Sequence, residues 1–159
     1  MQIDVLCVGS VKEKYYLQAI QEYSKRLSRY IKLNIYEVKD EKTPDQASEK
    51  ENLLIKKAES TRLEKHIVRD AHLIALAIEG RELTSEELSE KICNLEIQSH
   101  SHIQFIIGGS LGIDEELKRK ADDRISFSRM TFPHQLMRVI LLEQLYRAYK
   151  IKHHEPYHK

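Results

Sequence analysis

Three stretches of the sequence carry residue types and spacings able to do chemistry. FIIGGSLGID (105–114) is an apolar run that breaks at paired glycines and then opens an acid-started helix. Glycine has no Cβ, so this turn lets backbone come close to a ligand, and the carboxyl ends of parallel strands are where ligands bind. The order is not G-x-G-x-x-G, and no Lys-Ser/Thr pair follows, so a nicotinamide-type dinucleotide site is disfavoured and ordinary turn glycines remain the bland alternative. SFSRMTFPHQ (126–135) runs a short strand into a proline-started helix through Arg129, Met130, Thr131 and Phe132. It offers backbone hydrogen bonds and apolar walls to a purine-sized ligand, or is simply a connection. The third stretch is the polar stripe Arg138, Glu143 and Arg147 of the last helix, with the tail HHEPYHK behind it. Glu143 and Arg147 are spaced for an i,i+4 ion pair. Arginines on a helix otherwise committed to burial can also clamp a phosphate or carboxylate.

The histidines give no metal site. His154 and His158 have a metal-like spacing, but Pro156 between them breaks the helical face that the spacing requires. His100 and His102 share a strand face with no third ligand nearby. No Ser-His-Asp, catalytic Cys or paired-carboxylate pattern stands out.

The elements that must position these residues alternate. IDVLCVG (3–9) reads as a first strand, followed by a helix with Leu17, Ile20, Ser24, Leu27 and Ile31 on one face. LNIYEV (33–38) alternates like a strand. TPDQ (43–46) has capping-box spacing, with Pro44 at the first helical position, and predicts a polar helix to about residue 65. HLIALAI (72–78), HIQFII (102–107) and RISFS (124–128) complete five strands. TSEE (84–87) caps a helix through the low 90s, DEELKRK (114–120) forms a short one, and Pro133 opens the last, to about Lys150. Strands alternating with helices, several continuously apolar, predict an α/β fold with a mostly parallel sheet covered by helices on both faces. The last helix is apolar on more than one side, which predicts a homodimer; an unusually enclosed core helix is the alternative.

At 159 residues the chain reads as a single domain, 1–159, large enough for a substantial core. No apolar run approaches a membrane span and no signal peptide is recognisable; with two cysteines in apolar-periodic stretches, Cys7 and Cys93, this predicts a cytoplasmic protein with reduced thiols. The net charge of +1 hides an asymmetry. Residues 118–159 hold ten Lys/Arg against four Asp/Glu, +6, which leaves −5 on residues 1–117. A basic last quarter suits an anionic partner docking there, or a solvated surface.

IIGGSLG, SFSRMTFPHQLMRVILLEQLYRAYKI and the terminal PYHK resemble the ribosomal RNA large subunit methyltransferase H family, of the SPOUT class. The resemblance covers essentially the whole chain, including the opening strand and its following KEKYY, with the loop 110–114 and the polar second helix as variable regions. It implies an S-adenosylmethionine-dependent enzyme that methylates N3 of a pseudouridine in 23S-type large-subunit rRNA on the assembled ribosome. It also implies a homodimer whose carboxyl-terminal segment threads a deep trefoil knot, which connection rules alone would not suggest. Carried over, the cofactor contacts are Leu76, Gly108, Phe127, Ser128, Arg129, Met130, Thr131 and Phe132. His158 and Tyr157 become candidates for base contact or proton relay, and Arg138 and Arg147 for holding RNA phosphate or developing charge. A non-catalytic ribosome-associated RNA-binding module is the alternative; it would share the basic terminus and need no cofactor pocket.

Overall fold

A computed structural model describes all 159 residues. Strands β1 (Gln2–Val8), β2 (Lys32–Val38), β3 (His72–Glu82), β4 (His102–Ile107) and β5 (Asp123–Ser126) form one sheet in the order β2-β1-β4-β3-β5. Every pairing is parallel. Helices α1 (Lys14–Leu27), α2 (Glu49–Glu64), α3 (Ser85–Ile97) and α4 (Glu115–Lys120) connect successive strands, and α5 (His134–Lys152) follows β5.

The period-2 geometry of a strand explains the layering. Ile3, Val5 and Cys7 of β1 point to one face, where they pack with Leu27 of α1, Leu88 and Ile92 of α3, and Leu141, Leu145 and Tyr149 of α5. Leu6 and Val8 point to the other, against Leu63 of α2 and Leu117 of α4. Helices therefore cover both faces, as the continuous apolar runs require. Cys7 is buried, its thiol pushed up to about 12 by that burial, and Cys93 is half-buried; both are free.

The two edges of the sheet differ. At the amino end, buried Asp4 accepts hydrogen bonds from Asn34 Nδ2 (2.7 Å) and Gln104 Nε2 (3.1 Å) and lies 2.7 Å from His102 Nε2, a closed polar network. The carboxyl edge is left to loops.

Two local expectations change. The helix after β2 does not start at TPDQ. Ala47 N–H bonds back to the Pro44 carbonyl in a turn, and Ser48 is the cap, its hydroxyl accepting from Glu51 N–H. Ser48-x-x-Glu51 satisfies the first helical turn at the register that buries Glu59, Ser60 and Leu63, so it wins over Thr43. Leu17 is 40% exposed rather than buried, and neighbouring Tyr15 is more exposed still, because α1 docks by its second half, where Leu27 is fully enclosed. The TSEE signal holds: Thr84 and Glu87 form a reciprocal capping box on α3.

On α5, Leu141, Leu142, Leu145, Ala148 and Tyr149 are buried, while Leu136, Val139 and Ile140 remain half-buried. No helix is long and apolar enough to cross a membrane.

Candidate active site

Because all strands run the same way, their carboxyl ends lie along one edge, and Leu76 of β3 is in register there with Ile107 of β4 and Ile125 of β5. The three loops that leave these residues enclose a cavity of about 640 Å³. That volume suits a ligand of cofactor size. The sheet register slips between Leu76 and Arg81, so residues 77–80 bulge beside the cavity.

The glycine turn is needed for a reason other than ligand approach. A Cβ on Gly108 would lie 2.5 Å from the Gly112 carbonyl carbon and 2.7 Å from its oxygen. Gly109 and Gly112 bridge, with Gly112 N–H donating to the Gly109 carbonyl at 3.0 Å, and Gly112 sits at φ +86°. The loop thus folds onto itself, and Gly108 is the position over which it closes.

Of the eight residues carried over as cofactor contacts, Leu76, Gly108, Phe127, Ser128, Met130, Thr131 and Phe132 line this one cavity. Arg129 does not: its side chain is 91% exposed and 3.8 Å from Glu82. Residues 127–132 make no backbone–backbone hydrogen bond. Ser126 Oγ donates to the Ser128 carbonyl and Ser128 Oγ accepts from Met130 N–H, which fixes the loop while most of its peptide groups stay available.

The two arginines of α5 separate. Arg138 is 2% exposed; its guanidinium donates to Glu37 Oε2 (2.7 Å) and to the carbonyls of Val8 (2.8 Å) and Gly9 (2.6 Å). It clamps the end of β1 to α5 and has no free face for an RNA phosphate, which corrects the role expected for it. Arg147 is half-buried at the other end of the helix, with its Nε 3.1 Å from Glu143.

The tail folds back onto that end. His154 takes a left-handed φ of +53°, and the amides of His154 and Glu155 return to the carbonyls of Ile151 and Lys150. The Tyr157 ring packs edge-on against Tyr146 at 4.9 Å, beneath the Arg147 guanidinium at 4.7 Å. Tyr157 Oη donates to Glu143 (3.0 Å), and His158 bridges Arg147 (Nδ1, 3.3 Å) and Glu86 (Nε2, 2.8 Å). Burial, then hydrogen bonding with Tyr23 and Glu143, holds the Tyr157 phenol well above its ordinary pKa, so it stays protonated. Glu155 is drawn down to about 2 by Lys150 and by the hydroxyl of Tyr30, which ties the tail to the connection between α1 and β2.

A family model described as "Predicted SPOUT methyltransferase" matches residues 1–158. The chain belongs to this family. It is 62% identical to a protein of Bifidobacterium adolescentis, 57% to one of Clostridium novyi and 55% to one of Clostridium perfringens, each over 159 residues and 100% of both chains. All three relatives are named ribosomal RNA large subunit methyltransferase H.

Membership in the family implies S-adenosylmethionine as methyl donor, and the cavity of about 640 Å³ has the size such a molecule needs. Its floor is apolar (Leu76, Phe127, Met137), the loop 127–132 supplies unpaired peptide groups for a nucleobase edge, and Lys56, Glu79, Lys118 and His134 supply polar rim groups. Sequence reasoning passed over four participants. Glu143 was weighed only as an ion-pair partner, although it gathers Arg147 and Tyr157. Glu86 was only a capping-box neighbour, although it anchors His158. His134 stands in the SFSRMTFPHQ stretch without a role of its own, and the 77–79 bulge had no signal at all.

Proposed function

We propose that this methyltransferase transfers a methyl group to N3 of a pseudouridine in 23S-type large-subunit rRNA on the assembled ribosome. It would do so as a cytoplasmic homodimer of single domains, 1–159, with a carboxyl-terminal trefoil knot. The observation that carries the reading is the pairing of a backbone-lined cavity with a folded, basic, His/Tyr-bearing tail, in a chain whose full-length relatives are named for large-subunit rRNA methylation.

When bound, S-adenosylmethionine supplies an electrophilic methyl sulfonium; the protein must position the base and manage one proton. In this reading Leu76, Gly108, Phe127, Ser128, Met130, Thr131 and Phe132 hold the donor, and Arg129 takes part through its backbone. His158 accepts or relays the N3 proton, its ring oriented by Glu86 and Arg147. Tyr157, kept protonated, contacts the base as a donor rather than as the acceptor. Arg147 faces the charge that develops as the proton leaves.

Two features support the dimer. Leu136, Val139 and Ile140 leave an apolar strip on α5 incompletely covered, and α1, which packs on α5, leaves Tyr15 and Leu17 exposed. Within one chain, Met137 lines the cavity while Arg147 lies ten residues on, about 15 Å along the helix axis. A partner's tail reaching over the cavity would close that gap.

Labelled S-adenosylmethionine with intact ribosomes, separated subunits or naked rRNA tests the reading. Label at one pseudouridine of intact ribosomes is expected. Label on naked rRNA alone, or at another atom, overturns it.

A further inference from the structure

Two consecutive residues of α2, a helix that so far has given the site only Lys56, meet the glycine loop. Glu59 is 4% exposed. Its Oε1 accepts from Glu41 N–H at 3.0 Å, while Oε2 is buried with no hydrogen-bond partner. A Cβ on Gly109 would lie 2.9 Å from that Oε2 and 3.1 Å from Val8 Cγ1. Ser60, 2% exposed, accepts from Asp114 N–H at 3.2 Å through its hydroxyl. One turn earlier, Lys56 lines the cavity itself.

We propose that Glu59 and Ser60 are positioning residues for the cofactor loop, bracing it at Gly109 and at Asp114 so that residues 108–113 hold the wall of the cavity. The inference rests on reading that cavity as the S-adenosylmethionine site. The loop's only internal backbone tie is the bond between Gly112 and Gly109. Its shape is therefore imposed from outside, by a carboxyl group that fills the space beneath Gly109 and by a hydroxyl that fixes the start of α4. Of the loop's own side chains, Ile113 joins the core with Leu63 and Leu117 at the far end of the loop, which leaves the stretch around Gly109 to the brace from α2.

The unpartnered oxygen indicates which form of Glu59 does the bracing. An ionised carboxylate with a bare, buried oxygen is costly, whereas the protonated acid is not. The charged groups facing it are Asp40 and Glu41 from the β2–α2 connection and Arg62 from α2; Arg62 is itself taken by Glu41 and the Lys39 carbonyl. Burial above all, with repulsion from Asp40 and Glu41, raises the pKa of Glu59 above the ordinary carboxylate value. A raised value means that the brace is complete at low pH and weakens as pH rises through it, because ionisation then forces a charge against Gly109.

The test measures S-adenosylmethionine affinity by calorimetry and amide hydrogen exchange of residues 109–114 in the unliganded full-length protein. Glu59→Ala should weaken affinity about tenfold and speed exchange in the loop about tenfold relative to the β1 and β4 amides. Glu59→Gln, neutral and of the same shape, should restore both to within about threefold and make affinity independent of pH where the wild type weakens on the alkaline side. Ser60→Ala should speed exchange at Asp114 selectively. Gly108→Val is the control for the site. If it loses binding while Glu59→Ala keeps wild-type affinity and loop protection, the brace is overturned. A Glu59→Ala protein that loosens everywhere equally also overturns it, since the role would then be general stability. Wild-type affinity in Gly108→Val overturns the site assignment and the inference resting on it.

Discussion

The two ends of α5 use the same residue type for opposite purposes. Arg138 and Arg147 are nine residues apart, about 14 Å along the axis. At the first end the arginine is sealed, its two terminal nitrogens spent on two strand-end carbonyls and Glu37 while Nε is buried without a partner, and the adjoining cavity is walled mainly by backbone and apolar side chains. At the other, Arg147 belongs to a half-exposed polar cluster of Glu143, Tyr157, His158 and Glu86. A buried cation persists only where its charge is paired and most of its donors are met, so Arg138 stabilises the fold and cannot be lent to a substrate. A cation at a wet edge contributes little to stability and remains free to rearrange around a base. One end of the helix holds a site made of shape, and the other a site made of charge.

Substitutions should break these ends differently. The largest effect is expected for Gly108→Val, which puts a branched side chain where even a Cβ would meet Gly112 at 2.5 Å. S-adenosylmethionine binding should fall by at least about a thousandfold in calorimetry, a loss of about 4.1 kcal/mol. Arg138→Met should come next, lowering stability in urea unfolding by about 3 kcal/mol, since the Val8 and Gly9 carbonyls and Glu37 lose their partner. Arg147→Ala should do the reverse, changing stability by about 1 kcal/mol or less while lowering single-turnover methylation of ribosomes by about a hundredfold. Equal stability losses for the two arginines would erase the distinction between the ends.

His158→Ala should slow the same single-turnover step by about tenfold to a hundredfold, with cofactor affinity unchanged. An unchanged rate removes His158 from proton transfer. The smallest effect concerns the tail's tether. Glu155 has a folded-state value near 2, below the ordinary 4.5, so its contribution is full above about pH 4.5 and lost as pH falls toward 2. The Tyr157 and His158 resonances should shift to a mobile tail over that interval while those of the cavity loops hold. Simultaneous loss of both regions would show that the ends are not independent.

Much of this was legible along the chain. The five strands, the parallel layering, the Thr84 cap and the Pro133 helix start follow from local apolar periodicity and turn chemistry, which depend on near neighbours. The resemblance put seven residues from three separate segments into what proves to be one cavity. Where reading failed, two local signals competed or a partner lay far away. Thr43 and Ser48 both offer caps, and the buried register of Glu59 and Leu63 chooses between them. Leu17 has the right period but belongs to the half of α1 that does not dock.

The sequence by itself determined the elements, their order and the asymmetry of charge, because propensity, capping and composition are properties of short stretches. Only the tertiary structure decided what each polar residue is for. Arg138 meets carbonyls 129 and 130 residues away, Glu59 lies beneath a glycine 50 residues on, and His158 rests on an acid of α3. An arginine or a carboxylate reads the same in a one-dimensional pattern whether it will be sealed or left at the edge. Burial and the partners brought by strand order set its desolvation, and desolvation decides whether it stabilises the fold or serves the site.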